Sequence, residues 1–341
     1  TPSDNTVLPA SIYSGYQLVT TDGQNNTVIG KNAGDSFDGT NANDNTLVGY
    51  DSGTAITSGD RNTALGDSSL VATTTGSDNT AIGREALKGN TTGNRNTAIG
   101  KNVLNASSTA SNNTGIGYEV LISNSSGTQN TAAGAYALDA NTTGSDNTAI
   151  GYLSQTTSST ASYNTAVGQE TLELNETGEQ NVAIGRKALE ANTTGGSNTA
   201  VGNFALGGNT TGTTNIGIGR NSLGSNTTAS NNTSVGYYAL ATNITGTGLA
   251  GFGQGALQAN TASENTAVGA GSLQANTSGT RNTAVGYKAL VAHVGAVNNV
   301  TAVGWRALTG NTSGTFNVAV GSGALFTNST GSQNTAVGHS A

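Results

Sequence analysis

The sequence predicts an all-β protein: a parallel β-solenoid, or β-roll, of about 19 coils with a 17-residue repeat and two short strands per coil. A phrase close to Asn-Thr-Ala-Val-Gly recurs 19 times, and every step from Gly49 to Gly253 is 17 residues. A fixed, short period indicates one structural unit that buries its apolar face by stacking on its neighbours. With 50 Gly, 2 Pro and 9% charged residues, the chain must obtain its order from this repetition.

Each repeat contains two short apolar segments. Thr-Ala-Val ends at a glycine and is flanked by turn residues, which favours a strand of about three to five residues. A second apolar pair, such as Ala86-Leu87, predicts another short strand after the glycine corner, and Asn-Thr-Thr-Gly predicts a turn. A helix is the alternative for the second segment, but about six residues are too few to offset helix nucleation.

Two apolar columns are predicted to form the core. The residue before the glycine is aliphatic or Phe in every copy, and the fourth residue after it is Leu in 15 of 18 copies. The Thr two positions before the first column accepts Val182 and Ile216, so it is expected to point inward or to be half-buried. The predicted core comprises Ile82, Leu87, Ile99, Leu104, Ile150, Val167, Leu172, Ile184, Leu189, Val201 and Leu206.

Between these Thr and aliphatic positions runs a column of small residues. Seventeen of its 19 members are Ala, Gly or Ser, although a solvated strand face usually carries larger polar groups. Two interpretations remain open: a stripe against which another chain packs, or a tightly flattened coil interior. The predicted association stripe comprises Ala81, Ala98, Gly115, Ala132, Ala149, Ala166, Ala183 and Ala200.

Asparagine opens the phrase in 17 of 19 copies. Stacked about 4.8 Å apart, identical amides can hydrogen-bond along the coil axis, as in cross-β assemblies. A second, less regular Asn column includes Asn90 and Asn141. The predicted Asn ladder comprises Asn79, Asn96, Asn113, Asn130, Asn147, Asn164, Asn181 and Asn198.

The repeat divides the chain into residues 1–25, expected to be an N-terminal cap or a subunit-linking segment, and a solenoid domain of residues 26–341. The last copy stops at Gly338, part-way through a coil. We expect either that the chain was cut from a longer one or that the next subunit covers this end.

The composition and charge of the chain argue against several classes of function. A net charge of −7, with 12 basic residues, argues against nucleic-acid binding, and the absence of a long apolar run argues against membrane insertion. The two histidines, His293 and His339, are expected to be exposed polar residues, so no enzyme is predicted.

No cofactor is predicted either. Acidic residues near the start could bind calcium, but a solvated acidic face is the favoured interpretation for Asp22, Asp35, Asp38, Asp44, Asp51 and Asp60.

The phrase Asn-Thr-Ala-Ile-Gly at residues 79–83, the apolar pair that follows it and Gly-Ser-Asp-Asn at residues 76–79 resemble the head-domain repeats of trimeric autotransporter adhesins. Similar repeats occur in bacterial and phage surface fibre proteins. The resemblance implies a left-handed parallel β-roll, three chains around one axis and an adhesive surface outside the cell.

These features predict a non-enzymatic, extracellular or cell-surface structural fibre whose partner is itself, through side-by-side or head-to-tail contacts. The alternative is an adhesin or receptor-binding fibre head that recognises host or surface glycans, because exposed aromatics can stack on sugar rings. Ice binding through Thr ladders is a third hypothesis, disfavoured by the assignment of Thr to the core face. The aromatics concerned are Phe204, Tyr237, Tyr238, Tyr287 and Trp305.

Overall fold

A computed structural model describes residues 17–18, 24–37 and 41–341. The chain forms two compact units, Thr1–Thr160 and Ala161–Ala341. The fold is a β-solenoid of about 18 coils with 17-residue spacing, which confirms the predicted fold class. The described residues include no helix. Most of the predicted N-terminal segment 1–25 lies outside the described residues.

Each coil contributes one strand. The first unit contains β1 (Gln17–Leu18), β2 (Thr27–Gly30), β3 (Thr46–Val48), β4 (Thr63–Leu65), β5 (Thr80–Ile82), β6 (Thr97–Ile99), β7 (Thr114–Ile116), β8 (Thr131–Ala133) and β9 (Thr148–Ile150). The second contains β10 (Thr165–Val167), β11 (Val182–Ile184), β12 (Thr199–Val201), β13 (Ile216–Ile218), β14 (Thr233–Val235), β15 (Ala250–Phe252), β16 (Thr266–Val268), β17 (Thr283–Val285), β18 (Thr301–Val303), β19 (Val318–Val320) and β20 (Thr335–Val337).

Within each unit the repeated strands pair in parallel and in register. Thr97 faces Thr114 and Ile99 faces Ile116, so equivalent residues of successive coils lie side by side. Strand β1 is different, because it pairs antiparallel with β2. The in-register stacking turns each sequence column into a continuous row of side chains within its unit.

In the part of the chain that the structure describes, the predicted second strand of each coil is absent. After the corner glycine the backbone forms turns in which the residue before the Ala or Ser position and the buried Leu both have positive φ, as at Glu85 (58°) and Leu87 (51°). The N–H groups of these two residues bind opposite neighbouring coils: Glu85 N donates to Asp67 O at 2.9 Å, and Leu87 N donates to Val103 O at 3.0 Å. These inter-coil bonds replace a strand ladder and help to offset the cost of left-handed backbone at non-glycine residues.

Five of the eleven predicted core residues are correct. The Leu column is fully buried apart from the half-buried Leu325, and its buried members include the predicted Leu87, Leu104, Leu172, Leu189 and Leu206. The aliphatic column before the glycine is not in the core, because on a three-residue strand it shares the outer face with Thr. The predictions that fail are Ile82, Ile99, Val167 and Val201, which are half-buried, and Ile150 and Ile184, which are exposed.

The predicted association stripe is instead the strand side of the coil interior. Its eight members, Ala81, Ala98, Gly115, Ala132, Ala149, Ala166, Ala183 and Ala200, are all buried. The alternative interpretation, a flattened interior, is therefore correct. Space there is limiting: Gly115 lies opposite Val103, and a Cβ added to Gly115 would lie 2.6 Å from Val103 Cγ1. The small residues face the buried Ala and Leu side chains of the turn, and each unit has its own core cluster.

The corner glycine is required where the coils are closest. Gly185 has φ +121°, and a Cβ added there would lie 2.8 Å from the carbonyl carbon and oxygen of Gly202 in the next coil. Gly185→Ala is therefore expected to lower the free energy of unfolding by about 2–4 kcal/mol, since backbone strain and steric overlap add. Chemical denaturation followed by circular dichroism measures this change.

The matched control is Gly224→Ala. Gly224 has no positive φ, and its nearest neighbour would be Asn221 O at 3.3 Å from the added Cβ. The equivalent positions of other coils carry side chains, as at Lys88 and Asn105. Equal destabilisation by the two substitutions would show that the corner glycine has no special role.

Candidate association surface

Two rows of side chains cover the outer face of the strands. We call them the threonine row, formed by the first residue of each strand, and the aliphatic row, formed by the third. In the aliphatic row the exposed fraction is 42% at Ile150, 39% at Ile184 and 38% at Ile218. The burial pattern of these strands is fixed, with the central residue inside and its neighbours partly or fully exposed. The aliphatic row therefore places an apolar side chain on the outer face of each described coil. At Ala133 this side chain is only a methyl group.

Neither row contains a charged residue from Thr27 to Val337. The threonine row contributes hydroxyl and methyl groups, with Val182, Ile216, Ala250 and Val318 as apolar replacements. Many of the charged residues instead occupy the first two positions after the corner glycine, as at Arg84 and Glu85. Others lie just before the Asn that opens the phrase, as in the exposed pair Arg61 and Asp78, whose Nε and Oδ1 atoms are 2.6 Å apart. The two rows thus form a neutral face bordered by polar positions.

The predicted Asn ladder is present and holds the strands in register. Asn113 N donates to Asn96 Oδ1 at 3.0 Å, and Asn113 Nδ2 donates to the same oxygen at 3.3 Å. Asn113 Nδ2 also donates to Gly127 O at 2.9 Å. All eight predicted members, Asn79, Asn96, Asn113, Asn130, Asn147, Asn164, Asn181 and Asn198, are buried. Each of these amides therefore donates a hydrogen bond to a backbone carbonyl of the turn that precedes the strand of the next coil.

The second Asn column is also buried, apart from the half-buried Asn328, and forms its own bonds between coils. Asn192 Nδ2 donates to Asn175 Oδ1 at 2.8 Å and to Gly195 O at 2.9 Å. The bond to Gly195 closes the Asn-Thr-Thr-Gly turn of the same coil. The amides of both Asn columns are therefore largely closed to a partner, and the solvent-exposed surface is formed by the side chains outside them.

His293 occupies one position of this second column. The prediction that it is an exposed polar residue is wrong, because its side chain is fully buried. Its Nε2 lies 3.0 Å from Val297 O and 3.3 Å from Asn282 Nδ2, while Nδ1 has no partner among the described residues. Burial lowers the pKa of the imidazole, partly opposed by the bond to Val297. His293 is a structural replacement for Asn, with no acid or nucleophile bonded to it.

Three of the described acidic residues near the start, Asp44, Asp51 and Asp60, are engaged in local contacts. Asn32 Nδ2 donates to Asp51 Oδ1 at 2.8 Å, and Asn43 N donates to Asp60 Oδ1 at 2.8 Å. Asp22 and Asp38 lie outside the described residues. These contacts give no reason to assign calcium to this region.

One other acidic cluster, of Glu170, Glu173 and Glu190, is found among the described residues. Lys187 Nζ lies 3.0 Å from Glu170 and 2.6 Å from Glu190. The hydrogen bonds to Glu190 and Glu170 raise the pKa of Lys187, and the bond from Lys187 lowers the pKa of Glu170. The lysine ammonium thus already neutralises part of this cluster.

The aromatics predicted to meet sugars are distributed unevenly. Tyr237, Tyr238 and Tyr287 line one groove, and Phe204 lines an adjoining one. Trp305 lines a separate depression. None of these residues belongs to the threonine or aliphatic row, so the groove and the neutral face are different surfaces.

A scan against protein families finds no match to this chain, and a search of curated proteins finds none either. Among the residues that the structure describes, no helix is long and apolar enough to cross a membrane.

The burial of His293 generates a pH prediction. Because the folded state lowers the pKa of this imidazole below its ordinary value of about 6.5, the unfolded chain binds the proton more readily. Stability is therefore complete above about pH 6.5 and falls as the pH drops below that value, by up to about 1.4 kcal/mol per pH unit. Thermal melts at pH 7.5 and at pH 5 measure this loss.

The matched variant is His293→Asn, which restores the residue that Asn276 and Asn311 provide in the neighbouring coils. We expect this variant to lose less stability than the wild type between the two pH values, since its amide does not titrate. The same loss in both proteins would contradict a role for His293 in the pH dependence.

Proposed function

We propose that this chain is a non-enzymatic structural subunit of an extracellular or cell-surface fibre, and that it associates side by side with other copies of itself. The observation that supports the proposal is the neutral face of exposed aliphatic and threonine side chains on the strands of both units. The absence of charge from both rows distinguishes this face from ordinary solvated surface.

The face is costly to leave in water. Exposed aliphatic side chains repeat from coil to coil, including Ile150, Ile184 and Ile218 at about two-fifths exposure each. Contiguous apolar patches of this kind are uncommon on soluble monomers and usually mark interaction sites. Burying such area contributes roughly 25 cal/mol per Å², so even a modest gain per coil becomes large over many coils.

The partner that fits best is a second copy of the chain. Both rows repeat once per coil, at the strand spacing of about 4.8 Å. Only a surface with the same period can place a side chain against each gap along the whole row. Another copy offers that period, and its face is equally neutral, so no charge is left unpaired in the interface. The trimeric arrangement that the family resemblance implies is one form of this association and stays a prediction.

Charge placed on the aliphatic row tests the proposal. Ile184→Lys combined with Ile218→Lys leaves the interior of the coils untouched, because both side chains face outward. We expect self-association to weaken at least about a hundredfold, since like charges would be juxtaposed and desolvated in the interface. Sedimentation velocity and electron microscopy of the intact chain measure the loss of assemblies.

The control adds the same two lysines at Gln169 and Asn203, which occupy the first position after the corner glycine. This variant has the same net charge as the test variant but leaves both rows intact, so it should assemble like the wild type. A wild-type chain that is monomeric at every concentration, or equal loss of assembly in both variants, would overturn the proposal.

Ice binding is a second candidate function. The sequence analysis disfavoured it because Thr was expected to face the core, but the Thr side chains lie on the outer face of the strands. The threonine row faces outward: Thr63 is exposed, and Thr80 and Thr97 are half-exposed. A regular face of hydroxyl and methyl groups can order water over several coils, whereas a core-facing row could not. Thermal hysteresis of the wild type that is lost on Thr80→Lys with Thr97→Lys would support this function. The absence of hysteresis in the wild type would exclude it.

A further inference from the structure

We propose that a groove in the second unit, between the coils of Tyr238 and Lys288, is a saccharide-binding site. The groove exists because two successive coils lack a side chain at the second position after the corner glycine, where Gly255 and Gly271 lie. Most other coils carry a larger residue there, such as Tyr238. The cavity has a volume of about 480 Å³.

The two glycines form the buried floor of the groove. A Cβ added to Gly255 would lie 3.3 Å from Gln258 Oε1, and one added to Gly271 would lie 3.3 Å from Lys288 Cγ. A full side chain at either position would therefore fill the groove. The walls, formed by the coils of Tyr238 and Lys288, are three coil steps apart, or about 14 Å at the strand spacing.

The walls carry aromatic rings that are open to solvent. Tyr237 is 47% exposed and Tyr287 is 46% exposed, and both line the groove. Tyr237 and Tyr238 pack edge to face with their centroids 4.5 Å apart, which fixes the orientation of both rings. Rigid rings with a polar hydroxyl group suit the apolar C–H face of a pyranose, and they lose little conformational entropy on binding.

Between the walls lies a set of amides. Gln274 Nε2 donates to Gln258 Oε1 at 2.9 Å, which orients both side chains. Within the described part of the chain, Gln258 Nε2 and Gln274 Oε1 have no hydrogen-bond partner and remain available, as does the exposed Gln254. Paired donors and acceptors beside aromatic faces are the groups that bind sugar hydroxyls.

The electrostatics favour a neutral or acidic saccharide. Lys288 is the one charged residue that lines the groove, and its ammonium lies 5.3 Å from the centroid of the Tyr287 ring. No carboxylate lines the groove, so a cationic ligand would have no counter-charge. An adjoining cavity of about 260 Å³ shares Tyr238 and Gln258 and extends the groove to Phe204, which favours an oligosaccharide over a single sugar.

Binding of the intact chain to an array of neutral and uronic-acid oligosaccharides, followed by calorimetry with the best ligand, tests this site. We expect Tyr238→Ala to weaken binding about tenfold or more, since it belongs to both cavities. Gly271→Tyr should abolish binding by filling the floor. This variant should fold, because Tyr136 and Tyr238 occupy the same column with φ of 60° and 56°, close to the 65° of Gly271.

The control is Tyr152→Ala, an exposed tyrosine of the Tyr237 column in the other unit, which should bind like the wild type. Lys288→Gln should weaken the binding of a uronic-acid ligand and leave that of a neutral ligand nearly unchanged. The absence of binding anywhere on the array, or binding that survives both Tyr238→Ala and Gly271→Tyr, would overturn the proposal. Because no row residue is altered, the self-association test is independent of this one.

Discussion

The narrow interior of each 17-residue coil decides which side chains reach the surface. On the strand side Ala, Gly or Ser lies opposite the buried turn in 17 of 19 coils, and where the turn carries Val103 in place of Ala the facing residue is Gly115. The larger Val28 and Leu47 are buried in the two coils that have Gly34 and Gly53 in place of the buried Leu. The larger members of each three-residue strand must therefore face outward. The same steric limit that closes the core thus creates the neutral face on which the proposed association depends.

Polar groups hold this narrow core in register. Each ladder amide accepts from the next coil and donates to a turn carbonyl, as Asn113 and Asn96 do, so a slip by one residue would leave buried groups unpaired at every coil. The corner glycine brings the backbones of successive coils together at a distance that no Cβ permits. The ladder asparagine and the corner glycine together fix the path of the chain and leave the positions after the corner glycine free to vary.

That freedom allows one fold to carry two different surfaces. The rows on the strands are nearly uniform, and their period suits a partner with the same repeat. The positions after the corner glycine vary from coil to coil, so a local combination such as Tyr238, Gly255, Gly271 and Lys288 can form a groove with its own chemistry. The proposed self-association and the proposed saccharide binding therefore use different positions of the same repeat.

The sequence by itself determined the repeat, the solenoid, the Asn ladder and the Leu column, because each follows from a period or from a residue type whose chemistry is the same in every copy. It could not determine which face of a three-residue strand is inside, since Thr and Val alternate with Ala and either face satisfies the period. The sequence did contain one signal for the inner face, which was the uniformly small residue between Thr and the aliphatic position of each strand. A flattened coil interior explains this small size. Only the tertiary structure decided that the aliphatic row is exposed, that Leu87 lies in a left-handed turn and that His293 is buried, because coil width and inter-coil hydrogen bonds, not local propensity, set these outcomes.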